Sequence, residues 1–289
     1  MLQKQNTGSI GCPSCGSWVS VQAKNCPDCG YWNPGFWGYY RYVRILDADF
    51  FAKIVIYTCV TLYAISLLLD PTKISLDGIF HLLGPSVRSL VILGGSGYDP
   101  IVDYKSWWTV FTAPYLHCGL IHLFFNMTWI KDSSHLIVKF YSFSKLVIIY
   151  TFSGISGLIL TTLAAKFLPS VFAGAHLSAG ASGAIFGLFG ALVSYGQQSG
   201  SSAVRDSAWQ YALVGFICGF LSPSVDNWGH VGGFIGGYTL THIKWLNYKY
   251  KDNNYLFFLA MFCFLAVIAS FIASFIKGIF VMKIFEIWD

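Results

Sequence analysis

Seven apolar stretches, each close to the length of a bilayer-crossing helix, constrain this chain more than any other feature. A membrane-spanning helix needs about 20 mainly apolar residues, within a range of about 17–25. The stretches lie near residues 54–69, 117–137, 146–165, 180–196, 208–221, 229–246 and 256–276. Only 11% of the 289 residues are charged, against about 25% in soluble globular domains. The sequence therefore predicts an all-α polytopic membrane protein and excludes an ordinary soluble enzyme.

The distribution of Lys and Arg predicts how the spans are oriented. With a cytosolic N-terminus, 12 of the 18 Lys and Arg residues fall on the cytosolic side, as the excess of positive charge in cytosolic loops requires. Seven spans then put the C-terminus outside. The positive residues are scattered singly, so that no nucleic-acid partner is expected. We expect a multi-pass protein of a bacterial inner (plasma) membrane.

A polar head, residues 1–40, precedes the spans and contains four closely spaced cysteines. They form two turns of the type C-P-x-C-G, one at Cys12 and Cys15 and one at Cys26 and Cys29. This spacing is typical of a closed, tetrahedral structural zinc site, and the head resembles a zinc ribbon. Two disulfides are the alternative, but they need an oxidising compartment. The segment is short, and we expect it to lack an apolar core and to fold through metal binding.

Three of the predicted spans carry polar residues that are costly in a bilayer and are therefore functional candidates. The second span contains His122 and Asn126, the fourth contains Ser182 and the sixth contains His230. His122 and Asn126 are four residues apart, so they share one helix face. These three spans run in the same direction through the membrane. The four side chains are therefore expected at similar depth near the outer face.

The chemistry of these residues predicts a catalytic pair. A serine hydroxyl becomes a nucleophile when an adjacent base takes its proton, and His230 is the natural base for Ser182. His122, Asn126 and the backbone N–H of Ser182 are candidate donors to an oxyanion. Asp226 precedes His230 by four residues, and we expect it to cap the helix rather than to complete a triad.

Glycines at four-residue spacing predict how two of these spans pack. The G-x-x-x-G pattern lets helix backbones approach closely in lipid. The fourth and sixth spans both carry it, at Gly183, Gly187, Gly229, Gly233 and Gly237. Packing along these glycines would bring the serine and the histidine within hydrogen-bond reach.

Three motifs together resemble those of the rhomboid intramembrane serine proteases. They are H-x-x-x-x-H-x-x-x-N, G-A-S-G and G-H-x-x-G-x-x-x-G, in this order within residues 107–237. The resemblance implies a lipid-embedded protease that cleaves transmembrane segments of other proteins and needs no cofactor for catalysis. By position, it implies Ser182 as the nucleophile and His230 as the base. His122 and Asn126 are the implied oxyanion ligands, and the implied site opens away from the cytosol.

The resemblance also divides the chain into four parts. These are the zinc-ribbon-like cytosolic domain (1–40), a juxtamembrane linker (41–53), the rhomboid six-helix catalytic core (54–246), and an additional transmembrane helix with its tail (247–289). The head and the extra helix are not part of the minimal family pattern.

Two positions depart from the usual family pattern. Thr109 follows Trp108 where the family usually has Arg. Phe186 stands where a Tyr often stacks on the histidine. Since Phe also offers a ring, we expect Phe186 to keep the stacking contact.

Two other functions fit parts of the sequence. A catalytically weak or inactive rhomboid-like protein would bind membrane clients without cleaving them, and the presence of both Ser182 and His230 argues against it. A zinc-sensing transporter would need paired acidic residues within the spans and broken helices with inverted symmetry. Neither feature is found in the sequence.

Overall fold

The computed structural model describes residues 3–76, 81–220 and 225–285, and these are mostly helical. Two short strands, β1 (Ser9–Gly11) and β2 (Trp18–Ser20), pair antiparallel in the head. The helices are α1 Tyr40–Val43, α2 Ala48–Leu69, α3 Val87–Leu93, α4 Thr109–Thr112, α5 Leu120–Phe140, α6 Phe143–Phe167, α7 Ser182–Ser199, α8 Ser202–Phe220, α9 Asn227–Leu240 and α10 Asn254–Phe285. The predicted class, a helical protein with a small head, is confirmed.

Each predicted span falls on one of the long helices, α2 and α5–α10. Three of them, α2, α6 and α10, are long and apolar enough to cross a membrane, with mean hydropathies of 1.9, 1.9 and 2.7. The helix α9 has only 14 residues, fewer than the about 17 that a span needs. The count of seven spans stays a prediction. The end of the fifth apolar stretch, residue 221, lies outside the described residues.

Three of the long helices begin after a residue whose side chain caps the helix. Asp47, Ser142 and Asp226 precede α2, α6 and α9, and the side chain of each accepts a hydrogen bond from a backbone N–H three residues later. Such a bond satisfies one of the donors left free at a helix N-terminus. The prediction that Asp226 caps its helix is confirmed.

The helix α7 forms the centre of the bundle. It packs against α5, α6, α8 and α9, and every residue from Ala184 to Ser194 is buried. A helix that is apolar and buried on all sides belongs to the interior of a protein. Only the ends of α7 are therefore accessible.

The contact between α7 and α9 consists largely of backbone, because glycines line both sides. A Cβ added at Gly233 would overlap the carbonyl oxygen of Gly183, and one at Gly237 would overlap that of Gly187. We call this contact the glycine seam. It holds the two helices closer together than any larger residue would allow.

The head has a small apolar core, contrary to the expectation from sequence. Ile10 and Val19 face each other across β1 and β2 and point inward. The buried cluster consists of Ile10, Cys12, Val19, Val21, Cys26, Tyr31 and Phe36. The expectation failed because two thiols and the side chain of Phe257, from the distant helix α10, complete this core.

Candidate active site

Ser182 and His230 face each other where two helices begin. Ser182 is the first residue of α7, and His230 lies in the first turn of α9. His230 Nε2 is 2.9 Å from Ser182 Oγ, which is a hydrogen-bond distance. The glycine seam continues from this point along both helices. The close approach of the two backbones thus brings these side chains together.

Aromatic rings hold the imidazole of His230. Phe186, one turn after Ser182, stacks on it with 4.0 Å between ring centroids and 9° between ring planes. Phe216 of α8 meets the same imidazole edge-on, at 6.1 Å and 69°. These contacts fix the ring plane so that Nε2 points at the serine hydroxyl.

Asp226 is near His230 along the chain but does not bond to it. Its carboxylate accepts hydrogen bonds from Gly229 N–H at 2.9 Å, from Thr161 Oγ1 at 2.8 Å and from Ser178 Oγ at 2.8 Å. His230 Nδ1 is buried and has no hydrogen-bond partner among the described residues. In the part of the chain that the structure describes, the arrangement is therefore a Ser–His pair without an acidic third member.

His122 lies beside Ser182, across Gly180. A Cβ added at Gly180 would lie 2.7 Å from His122 Cε1 and 3.7 Å from Ser182 Oγ. Gly180 also has a φ of +157°, which side chains rarely adopt. Only glycine leaves room for the imidazole at this point. Gly180 is the first residue of the G-A-S-G motif, and nothing in the motif alone indicates this role.

Asn126 is buried one turn further along α5. Its Nδ2 donates a hydrogen bond to the backbone oxygen of His122 at 2.9 Å. Among the described residues, no hydrogen bond joins Asn126 to Ser182 or His230. Of the two side chains predicted as oxyanion ligands, His122 thus comes beside the serine, whereas the Asn126 amide is engaged with its own helix.

The start of α7 adds backbone donors to this set. The first hydrogen bond of the helix runs from Ile185 N–H to Ala181 O at 3.0 Å. The N–H groups of Ser182, Gly183 and Ala184 therefore have no acceptor within the helix. Free N–H groups at the positive end of a helix bind anions.

A cavity of about 1350 Å³ opens beside Ser182. Its wall includes Ser182, Gly180 and His122, and also His81 and Cys118, which the sequence analysis did not single out. The cavity exceeds the about 300–1,000 Å³ of a typical small-ligand pocket. Its size is suited to a polypeptide segment.

Thr109, which stands where the resembling family usually has Arg, forms its side-chain hydrogen bonds with neighbouring parts of the chain. Its buried hydroxyl lies 3.0 Å from Ser96 Oγ and donates to Ser106 O at 2.7 Å. The backbone of Ser96 in turn pairs with Ser178, in the segment that leads to Ser182. The threonine thus joins the start of α4 to Ser96, and the backbone of Ser96 joins this region to the chain ahead of α7.

The head contains a candidate metal centre formed by the four cysteines. Their sulfur atoms all lie within 4.8 Å of one another, with Cys12 Sγ 3.6 Å from Cys29 Sγ and Cys15 Sγ 3.7 Å from Cys26 Sγ. Four thiolates around zinc, at Zn–S distances of about 2.3 Å, would be about 3.8 Å apart. All four thiols are free rather than disulfide-bonded. The donor set and its spacing fit a zinc ion.

The surroundings of these thiols differ in their effect on ionisation. A hydrogen bond with the side chain of Ser17 lowers the pKa of Cys15 to about 6. Burial raises the pKa of Cys12 to about 12. Because a metal binds thiolates, the surroundings of Cys15 favour the form of the thiol that a metal needs.

Comparison with known proteins identifies the domain that carries the Ser–His pair. Residues 104–247 match the rhomboid domain. The chain is 30% identical to the rhomboid protease GluP of Bacillus subtilis over 158 residues, which cover 54% of this chain and 29% of GluP. It is 31% identical to the inactive RHOMBOID-like protein 8 of Arabidopsis thaliana over 162 residues, covering 53% and 43% of the two chains.

A third relative bears on the membrane in which the protein resides. RHOMBOID-like protein 6 of Arabidopsis thaliana, a mitochondrial protein, is 33% identical over 169 residues, which cover 56% of this chain and 51% of the relative. The expectation of a bacterial membrane is thus doubtful, because the relatives are largely plant proteins and include a mitochondrial one, although GluP is bacterial. The chain spans about half or less of the length of these curated relatives.

The domain match and the apolar helices lead to one conclusion about class. The rhomboid domain contains α5–α9, among them the long apolar helix α6, and the long apolar helices α2 and α10 flank it. This is an integral membrane protein, and it belongs to the rhomboid family.

Proposed function

We propose that this protein is an intramembrane serine protease that cleaves transmembrane segments of other membrane proteins. The observation that carries the proposal is the 2.9 Å distance between His230 Nε2 and Ser182 Oγ, with the imidazole stacked on Phe186. A nucleophile within hydrogen-bond reach of an oriented base is the signature of covalent catalysis. The named protease among the relatives, GluP, agrees with this activity class.

The first half of the reaction forms an acyl-enzyme. Ser182 Oγ attacks the carbonyl carbon of the scissile peptide bond while His230 Nε2 takes the hydroxyl proton. The carbonyl oxygen becomes an oxyanion. When the C–N bond breaks, His230 gives its proton to the leaving amine, and the acyl group remains on Ser182.

The second half releases the acyl group by hydrolysis. A water molecule attacks the ester carbonyl while His230 Nε2 takes one of its protons. The Ser182–acyl bond then breaks, and His230 returns the proton to Ser182 Oγ. The product is a free carboxylic acid, and the enzyme is regenerated without any cofactor.

Donors around Ser182 would stabilise both oxyanions. The free N–H groups at the start of α7 and the ring of His122 lie on the side of Ser182 that borders the cavity. We assign Asn126 to the same group of donors. Its Nδ2 carries two protons, of which the hydrogen bond to His122 O uses one, and the second can be donated to the oxyanion. Each donor of this kind contributes about 10²–10³ in rate in a comparable enzyme.

We propose that the Ser–His pair and the head lie on opposite sides of the membrane, with the head in the cytosol. The head contacts the start of α10, whereas Ser274, further along α10, adjoins Gly94. Thr112 donates to Gly94 O at 2.6 Å, and the next residue, Ala113, accepts from Gly180 N–H at 3.0 Å. Between its start at the head and Ser274, α10 rises by about 30 Å, which is the thickness of the hydrocarbon core.

The alternative proposal is a catalytically weak or inactive rhomboid-like protein that binds membrane clients. The similarity to a relative named as inactive keeps this alternative open. Both proposals use the same cavity. They differ in whether Ser182 is reactive.

A serine-directed probe separates the two functions. A fluorophosphonate should label the full-length protein at Ser182, and a transmembrane substrate reconstituted with it should be cleaved. Ser182→Ala and His230→Ala should reduce both signals to background. Ser194→Ala is the matched control, since Ser194 is buried on the same helix but bonds to Gln198 instead. Cleavage by a folded Ser182→Ala variant would refute the mechanism, and a wild-type protein without labelling would favour the client-binding function.

A further inference from the structure

The head and the start of α10 form a contact that the proposed protease mechanism does not use. The two segments are far apart in sequence, yet three kinds of interaction join them. These are a pair of hydrogen bonds to Asn254, a hydrogen bond to the backbone of Asp252, and a ring contact with Phe257. We call residues 252–257 the clasped segment.

The most specific of these interactions is reciprocal. Asn254 Oδ1 accepts from Trp32 N–H at 2.9 Å, and Asn254 Nδ2 donates to Trp32 O at 2.9 Å. One side-chain amide thus pairs with both polar groups of one backbone residue. Both hydrogen bonds can form together only when the backbone of Trp32 is held in one position. A single bond, to Asn254 Oδ1 or from Asn254 Nδ2, would allow that backbone to move.

The cysteine turns fix the head atoms that make these contacts. Trp32 directly follows the second turn, where Cys26 N–H donates to Tyr31 O at 2.9 Å. Ser14 lies inside the first turn, between Cys12 and Cys15, and its hydroxyl donates to Asp252 O at 2.7 Å. Both turns therefore contribute a contact to the clasped segment. Their relative position depends on what joins the four sulfur atoms.

A ring contact extends the interface into the apolar core of the head. Phe36 and Phe257 lie 5.0 Å apart between ring centroids, at 59°. Phe36 belongs to the same buried cluster as Cys12 and Cys26. Loss of order in this cluster would therefore release Phe257 as well.

The chain just before the clasped segment is held by a different partner. Lys145 of α6 is fully buried, and its Nζ donates to Asn247 O at 2.8 Å and to Tyr250 O at 2.6 Å. Residues up to 250 are thus fixed by the helical bundle. From residue 252 onward the head adds its contacts to those of the bundle, where the Asp252 side chain bonds to the start of α6 and Leu256 is buried in the core. Only the contacts with the head can depend on metal in the head, so the two supports can be distinguished experimentally.

We propose that the metal-loaded head clasps the start of α10, so that metal binding to the four cysteines orders residues 252–257. The partner of this head surface is a segment of the same chain. Zinc is the metal that the four-thiolate donor set favours. In the absence of metal the two turns separate, and the start of α10 loses its contacts with the head. The proposal does not depend on protease activity.

Hydrogen–deuterium exchange of the full-length protein in detergent tests this proposal. The zinc-loaded protein is compared with protein treated with a chelator, and metal content is measured in both. Zinc should slow exchange of the amides at 256–260 at least tenfold, or about 1.4 kcal/mol at 25 °C. Amides at 243–250 should not respond, because Lys145 holds that stretch from the bundle.

The variant Asn254→Ala provides the decisive comparison. It should still bind one zinc ion per chain, since Asn254 is not a metal ligand, but zinc should then protect residues 256–260 much less. Cys26→Ser should lose both the metal and the protection. Equal exchange with and without bound zinc in the wild type would overturn the proposal. Full zinc-dependent protection in Asn254→Ala would overturn it too, because the clasp would then not involve the observed contact.

Discussion

Replacing one glycine of the seam should separate the Ser–His pair without unfolding the protein. In Gly233→Ala, the new Cβ would overlap Gly183 O and lie 2.7 Å from Gly183 C, whereas ordinary contact begins at 3.4 Å. Restoring contact distance to Gly183 C alone requires α7 and α9 to move apart by about 0.7 Å, and Gly183 O, which is nearer, requires more. The same shift would stretch the 2.9 Å bond between Ser182 and His230 to about 3.6 Å, which is no longer a hydrogen bond.

The expected loss of activity follows from this displacement. A misplacement of about 1 Å in a reacting group can cost about 10²-fold in rate, and we therefore expect kcat to fall about ten- to hundredfold. Overpacking of this kind costs about 1–3 kcal/mol of folding free energy. This is less than the about 5–15 kcal/mol by which native proteins are stable, so the variant should remain folded.

The matched control adds the same methyl group where more room exists. In Gly183→Ala the new Cβ would lie 3.2 Å from Gly229 O, and a shift of a few tenths of an ångström relieves it. Substrate cleavage, probe labelling of Ser182 and thermal unfolding would be measured for both variants in the same detergent. A folded Gly233→Ala variant with wild-type kcat, or equal losses in both variants, would refute the claim that the seam sets the distance.

Two further predictions concern polar residues around the pair. Asp226→Ala should lower thermal stability and slow labelling of Ser182, because it removes a helix cap worth about 0.5–2 kcal/mol and leaves the hydroxyls of Thr161 and Ser178 without their acceptor. Asp226→Asn should recover most of the loss. Equal defects in both variants would argue against this role. Asn126→Ala should lower kcat by at most about 10²–10³ with little change in KM. An unchanged kcat would limit Asn126 to its structural bond with His122 O.

Much of the candidate site is predictable because its parts follow helix periodicity. Ser182, Phe186 and the seam glycines recur at intervals of about one turn, so one face of α7 carries them all. His230 lies in the first turn of a second glycine-rich helix that packs on this face. Sequence spacing and the parity of the spans were therefore enough to propose the Ser182–His230 pair and the packing that brings it together.

Contacts between loops could not be predicted from the sequence. Thr161 and Ser178 bind Asp226 from α6 and from the loop before α7, and neither has a spacing that marks it. The contact of the head with Phe257 joins residues more than 200 positions apart, and no local pattern encodes it.

The burial of α7 on all sides has a consequence for how a substrate could reach Ser182. A helical substrate cannot lie alongside α7, because its flanks are covered from Ala184 to Ser194. Among the described residues, the Ser182 hydroxyl is accessible from the tip of α7, where the cavity opens. In the proposed protease, a peptide bond would therefore have to arrive in an unwound, extended stretch whose carbonyl is free of its own helical hydrogen bond. The choice of substrate among membrane proteins would then depend on how easily a helical segment unwinds. Gly or Pro near the cleavage point, which weaken helices, would favour cleavage more than a particular side-chain motif would.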